Sequence, residues 1–410
     1  AGLWCTALGY GNQEVIATAT EQMNKLTFNH MFGGKTHQVA IDLADKLADM
    51  IPMKDAVISF GNSGSDANDT HIKLLRYYHE AIGKPERRKI IARERSYHGV
   101  TVAAASLTGL PVTQNHFDLP VDALGILRTD HPHYYRGKQG DESETEFVDR
   151  IVGNLEAMIV REGPETIAAF IAEPITGASG VIVPPEGYYQ KVQAVLNRYG
   201  IMFWADEVIT GFGRTGNDFG CTTMAIESPD MMTFAKQLSS AYMPISASAI
   251  RREMYDAMIE QSASAGAFGH GYTYSGHPVA CAVALKTLEI YQRDKIFEKA
   301  AESGAYLQKR LAEFADHPLV GEVRGSGLIG ALELVANKET GEPFVGGAVG
   351  GYAQKMAQDN GLLIRTVAGS CLGFCPPLII TNEQIDEMIE KVAPALDATL
   401  DHCKKENLLR

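Results

Sequence analysis

Little in this sequence points toward a membrane, a nucleic acid or a metal. No apolar run is long enough to span a bilayer, and nothing at the start reads as a basic-plus-apolar secretion signal. Lysine and arginine number 37 against 50 acids, a net charge of −13. That balance argues against a nucleic-acid or anionic-membrane partner. Cysteines are few, six in all, at positions 5, 221, 281, 371, 375 and 403. Only Cys371 and Cys375 are close, and no second Cys/His pair completes a zinc site. We therefore expect thiols in a reducing compartment, no metal and a cytoplasmic protein. Internal repeats and low-complexity linkers are also missing.

What remains is an ordinary globular composition, 45% hydrophobic and 21% charged, over 410 residues. That length allows two or three domains around a large core. The most informative stretch runs from 201 to 240. An apolar run, Ile201 to Ala205, ends in the adjacent acids Asp206 and Glu207, and a second, Met231 to Ala235, ends in Lys236. Short apolar runs read as buried strands, and in α/β sheets ligands gather at the carboxyl ends of strands. An amine and a carboxylate presented there suit a pyridoxal phosphate enzyme. The lysine forms a Schiff base, and the aspartate keeps the pyridinium nitrogen protonated so that the ring can act as an electron sink. A lysine closing an apolar run is costly to bury unless paired or used, and desolvation lowers its pKa.

In chain order, the glycine-rich AGLWCTALGYGN begins as though mid-fold. Helical patterns follow over 13–26 and 36–50. The strand DAVISF (55–60) leads into GNSGSDAND and a helix, where backbone N–H groups can meet an anion. Gly64 and Ser65 are the candidates for a phosphate, with a plain helix cap as the commoner meaning of such a cluster. Strands are expected at 89–95, 167–174, 245–250, 328–335, 362–367 and 371–375. Helices are expected at 100–108, 146–161, 187–199, 279–293, 297–314, 347–359 and 382–400. Strands alternating with helices from 55 to about 290 predict a mainly parallel, doubly covered sheet, and the remainder has the size of a smaller α+β domain.

Two GxGxxG matches, Gly211/Gly213/Gly216 and Gly325/Gly327/Gly330, invite a dinucleotide reading. Neither opens a helix after a strand, so glycines for tight turns are the better account. A metal at Asp206 and Glu207 would need further ligands. The only cluster in sight, His131 and His133, is explained as a surface loop.

NSGSDAND, SYHG, AEPITGASGVIVPPEGYY, ADEVITGFGRTG, AKQLSS, GYTYSGHP and RGSGLIG occur here in one order and spacing. With these segments the chain resembles the class III (subgroup II) aminotransferases, and within them the (S)-selective amine:pyruvate, or ω-, transaminases. The resemblance implies an α/β fold of the type I pyridoxal phosphate enzymes, with a mainly parallel seven-stranded sheet and a smaller α+β domain. The expected division is an N-terminal segment (1–40) belonging to the small domain, a large cofactor-binding domain (41–292) and a C-terminal small domain (293–410).

It further implies that Lys236 is the catalytic Schiff-base lysine and proton carrier, and that Asp206 pairs with the ring nitrogen of pyridoxal 5'-phosphate. Tyr97 and Val208 would flank the ring, with His98 beside Tyr97 and Glu173 in support. Ser63, Gly64 and Ser65 would bind the phosphate. Thr273 would complete that site in a neighbouring subunit of a homodimer, or of a tetramer built from two dimers. Trp4, Phe32, Tyr97, Ala178 and Arg365 would form the substrate pocket. Arginine's planar fork suits a carboxylate, and alanine at 178, where ornithine-type relatives carry glutamate, leaves Arg365 unpaired. The family's chemistry predicts ping-pong transfer from an amine (an ω-amino acid or an arylalkyl amine) to a keto acid such as pyruvate. Donors such as β-alanine, taurine or a diamine come second, and an aminomutase or racemase third. Gln237 stands where the family usually has glycine.

Overall fold

The apolar runs fall where a covered sheet needs them. The computed structural model describes residues 2–410 and contains seven strands in one sheet: β1 (Val57–Gly61), β2 (Lys89–Arg93), β3 (Ile126–Thr129), β4 (Ile167–Ala172), β5 (Met202–Asp206), β6 (Met231–Phe234) and β7 (Ser246–Ile250). Their order is β1-β7-β6-β5-β4-β2-β3. Pairings from β3 through β6 are parallel, while β7 is antiparallel to both β6 and β1. All strands but β7 therefore point the same way, and their carboxyl ends share one edge.

Alternation along the strands shows that both faces are covered. In β5, Met202 and Trp204 join one apolar cluster while Phe203 and Ala205 join another. In β4, Ala169 and Ile171 oppose Phe170 and Ala172 in the same way. Two-sided burial is why these strands read as continuous apolar runs.

A second, five-stranded sheet comprises β8 (Val320–Ser326), β9 (Ile329–Asn337), β10 (Glu342–Pro343), β11 (Arg365–Val367) and β12 (Cys371–Phe374). It is antiparallel throughout: β9 pairs with β8, β10 and β12, and β11 lies outside β12. Near the start of the chain, α1 (Gln13–Lys25) and α2 (Gln38–Met50) pack on the Pro278–Arg293 helix. The helix that leaves β1, α3 (Gly64–Ala81), packs across β7 and β6.

Several elements escape the sequence patterns, three of them of some length or consequence. β3 is an edge strand with Arg128 in its middle. β8 alternates charge with apolar side chains and ends in the glycines taken for turns. The Arg252–Ala265 helix has a weak apolar face, burying only Met254 and Met258. The expected strand 362–367 begins at Arg365.

The two glycine motifs serve a joint between the sheets. A Cβ on Gly327 would lie 2.4 Å from the Thr215 carbonyl carbon and 2.5 Å from Gly216 N, so the two loops meet backbone to backbone. Gly213, Gly216 and Gly327 also adopt positive φ. The glycines therefore serve close approach as well as turning.

Candidate active site

The aligned carboxyl ends of β1, β2, β4, β5 and β6 bring the expected residues to one cleft of about 350 Å³. Ser63, Gly64, Ser65, Tyr97, His98, Glu173, Asp206, Val208 and Lys236 all line it. This is the strand-end position at which α/β sheets bind ligands.

Asp206 is the last residue of β5 and only 3% exposed. Its Oδ2 accepts from Asn68 Nδ2 at 3.1 Å and lies 2.8 Å from His98 Nδ1. Asn68 also donates to His98 O (2.6 Å) and accepts from Thr233 Oγ1 (2.8 Å), whose oxygen accepts from Trp204 Nε1 (2.8 Å). The carboxylate is thus held by a chain of buried, mostly neutral groups running back into the sheet. Glu207 turns the other way. It is fully buried, and its carboxylate accepts from Thr210 Oγ1 (2.5 Å), Gly220 N (3.0 Å) and Cys221 N (2.6 Å). Successive strand residues face opposite sides, so one acid serves the cleft and the other ties down the glycine loop.

Lys236 follows β6 in a 3-10 turn with φ of 42°, a left-handed conformation uncommon for a side chain with a Cβ. The residue is half-buried and lines the cleft, and Nζ makes no hydrogen bond among the described residues. Burial lowers its pKa below the ordinary lysine value, against the pull of Asp206 and Glu173. A neutral amine is therefore reached at lower pH than in a solvated lysine.

Ser63 caps α3, accepting from Asp66 N at 3.2 Å, and Asp66 reciprocates to Ser63 N, a capping box. The cap reading and the anion reading coexist. Gly64 and Ser65 line the cleft, and their amides lie in the first turn, where no intrahelical acceptor exists. A Cβ on Gly64 would come 3.0 Å from Val208 Cγ2, so glycine keeps this floor open. The Ser65 hydroxyl accepts from Val100 N at 3.1 Å, beside Gly99, whose φ of 129° few other residues adopt.

Glu173, 2% exposed, accepts from Tyr97 N and Gly177 N, both at 2.9 Å. Burial pushes its pKa up, and burial likewise raises that of Tyr97. Beneath it, fully buried Arg93 donates to Glu173 O (2.6 Å), Thr176 Oγ1 (3.0 Å) and Tyr189 OH (2.9 Å). Sequence reasoning missed Asn68, Arg93 and the cleft residue Cys5. Asn68 lies one helical turn after Gly64, a spacing that could have flagged it; Arg93 carried no such signal.

The substrate residues divide. Trp4 is 3% exposed within an apolar cluster that includes Ile175, Ile209 and Val367, and Arg365 Cζ lies 5.4 Å from its ring centroid. Arg365, at the exposed start of β11, makes no ion pair among the described residues. Ala178 sits in the neighbouring turn, half-buried. Phe32 and Thr273 are not in this cleft. Phe32, 45% exposed, packs against the loop at Gly271, and exposed Thr273 belongs to that same loop, so the two share a surface of their own.

The histidine pair needs correction. His133 is 2% exposed, 2.9 Å from Glu322 Oε2 and 3.8 Å from Glu333 Oε2. The segment is therefore no surface loop. It joins the two sheets, and burial lowers the pKa of both histidines, His131 to about 3. His133, Glu322 and Glu333 have metal-like spacing, but Arg136 and Arg324 already pair with the carboxylates.

A strand-end lysine, an aspartate braced by Asn68, and a glycine-containing helix N-terminus at the cleft define a pyridoxal phosphate site of the type I fold. The class III aminotransferase family profile matches residues 1–396. The chain is 48% identical over 401 residues to gamma aminobutyrate transaminase 3, chloroplastic, of Solanum lycopersicum, covering 97% of this chain and 76% of that one. It is 47% identical over 405 residues to a mitochondrial gamma-aminobutyrate transaminase 1 of Oryza sativa subsp. japonica, covering 97% and 77%. An omega transaminase of Pseudomonas jessenii, solved in complex with PMP, superposes with a TM-score of 0.95 at 48% identity, covering 98% of this chain and 88% of that one. This chain belongs to the class III aminotransferases, and its cofactor is pyridoxal 5'-phosphate.

Proposed function

We propose that the protein moves an amino group from an ω-amino acid or an arylalkyl amine to a keto acid, with pyruvate as acceptor, in a ping-pong cycle. The observation that carries this reading is Arg365, an exposed guanidinium with no ion pair among the described residues, resting on the Trp4 ring. An arginine that is unpaired and poised beside an apolar wall can grip a carboxylate. When the substrate has none, it can lie back on the indole. The names of the plant relatives support the ω-amino acid side of the reading.

The residues fit the cofactor. Gly64 and Ser65 amides would hold its phosphate, Asp206 its ring nitrogen, and Tyr97 and Val208 its two faces. When bound, pyridoxal phosphate supplies a conjugated ring that draws electrons from the carbon bearing the transferred nitrogen. Lys236 Nζ, whose surroundings disfavour the charged form, removes the proton from that carbon of the donor and later delivers one to the corresponding carbon of the acceptor. Asn68 and His98 orient Asp206, and the Glu173 carboxylate fixes the Tyr97 backbone. In a homodimer, Phe32 and Thr273 would reach the partner copy's cleft, which accounts for their position together outside their own.

The test is a visible absorbance spectrum of the cofactor-loaded protein. The bound-cofactor band should fall on adding γ-aminobutyrate, β-alanine or an arylethylamine and return on adding pyruvate. A band that no amine changes, or that no keto acid restores, overturns the proposal.

A further inference from the structure

Trp4 is held in a slot between two elements from different sheets. A Cβ on Gly177 would come 3.0 Å from its Cζ3, and one on Gly373 would come 3.1 Å from its Cζ2. Gly177 belongs to the turn after β4, and Gly373 to β12, where it pairs with Arg365 on β11. The spacing of turn and strand therefore fixes the indole on which Arg365 rests.

One guanidinium fastens the two walls. Arg324, its side chain 7% exposed, donates from Nε to Gly180 O at 2.8 Å, on the turn. Its Nη2 lies 3.4 Å from Cys371 Sγ, on β12. Its Nη1 pairs with Glu333 Oε2 at 2.5 Å and with Glu322, and these carboxylates are shared with Arg136 and His133. The fork thus spans both sides of the slot with every nitrogen engaged, which lysine could not reproduce.

We propose that Arg324 is a positioning residue for substrate binding: by pinning the Gly177 to Gly180 turn to β12 it sets the Trp4 slot, and through it the reach of Arg365 toward the substrate carboxylate. This rests on the reading of Arg365 given above.

The test compares cofactor-loaded wild type with Arg324→Lys and Gly373→Ala. Two readouts are taken: steady-state constants for pyruvate and for an arylethylamine, which has no carboxylate, and intrinsic tryptophan emission. Only two tryptophans are present, and Trp204 is wholly buried in the sheet, so a red shift reports Trp4. Arg324→Lys should shift the emission and raise KM for pyruvate about tenfold or more. Its kcat and the KM for the amine should stay within about twofold. Equal increases in both KM values, or an unchanged pyruvate KM with unchanged emission, overturn the proposal. Gly373→Ala keeps every charge and crowds the slot by one methyl group. If Arg324→Lys does not fold, the same split and shift are expected of Gly373→Ala, more weakly, and their absence overturns the proposal. Should Arg365→Ala affect amine and keto acid alike, the carboxylate reading of Arg365 fails. The emission shift then decides the slot by itself.

Discussion

Two polar networks, one buried and one half-buried, support the site, and they are built on different principles. Behind the cofactor position, Trp204, Thr233, Asn68 and His98 converge on the single acid Asp206 through short bonds anchored on central strands. On the substrate side, Arg324, Arg136, Glu322, Glu333 and His133 form a charged cluster between two sheets. The first takes its precision from a rigid sheet covered on both faces. The second spans a joint whose loops meet through close glycine backbone and a few hydrogen bonds, among them Ser326 Oγ to Thr215 O at 3.0 Å. Neutral relays suit a group that must not move. Paired charges hold elements that no shared ladder connects, and removing one partner leaves the other buried without compensation.

The largest effect expected on this contrast comes from Lys236→Ala, which removes the group both half-reactions share. Turnover should fall by at least about a thousandfold, with the circular dichroism spectrum unchanged; residual turnover near wild type would dissolve the assignment. Arg365→Ala comes next and touches only the substrate side. KM for pyruvate should rise by roughly ten- to a hundredfold while an arylalkyl amine without a carboxylate is barely affected, as measured by separate half-reactions.

Asn68→Ala tests the neutral relay. It leaves Asp206, Thr233 and His98 O each short of a partner, so unfolding free energy should drop by about 1–3 kcal/mol in denaturant titration. Cofactor release should quicken, whereas pyruvate KM should not change selectively. If the loss appeared in pyruvate KM instead, the two networks would not be separate.

The smallest effect concerns pH. Fully buried His71 packs on Trp204 (centroids 5.0 Å) with Nε2 3.0 Å from Met232 O, and burial lowers its pKa to about 4. The unfolded residue takes up a proton below its ordinary value of 6.5, whereas the folded one stays neutral. Its contribution to stability is therefore complete above pH 6.5 and is lost as pH falls toward about 4. From pH 7 to 5 the apoprotein should lose about 2 kcal/mol from this residue. His71→Gln should flatten that slope in thermal melts, and an unaltered slope would place the acid sensitivity elsewhere, for example at His131.

Much of the fold was legible because doubly covered parallel strands are continuous apolar runs, and β4, β5 and β6 announce themselves in that way. The edge strand β3, with Arg128, and the charged β8 did not. Their partners cover one side only, and the pattern weakens accordingly. At the cleft, Lys236 and Asp206 were readable as polar residues closing apolar runs. Arg93 was not, since its bonding partners lie far away in sequence, and Asn68 offered only its place one helical turn after Gly64. His131 and His133 were misread as a surface loop because burial at a joint between sheets leaves no periodic trace.

By itself, then, the sequence determined which residues stand at strand ends, and so that an amine and a carboxylate would share one edge of a parallel sheet. Only the tertiary structure decided that Asp206 faces the cleft while adjacent Glu207 holds the glycine loop. It alone also decided that Phe32 and Thr273 sit apart from their own cleft and that Arg324 bridges the Trp4 slot. The reason is physical: strand periodicity is local and written in neighbouring residues, whereas side-chain partners are chosen by packing between segments that the chain brings together only when folded.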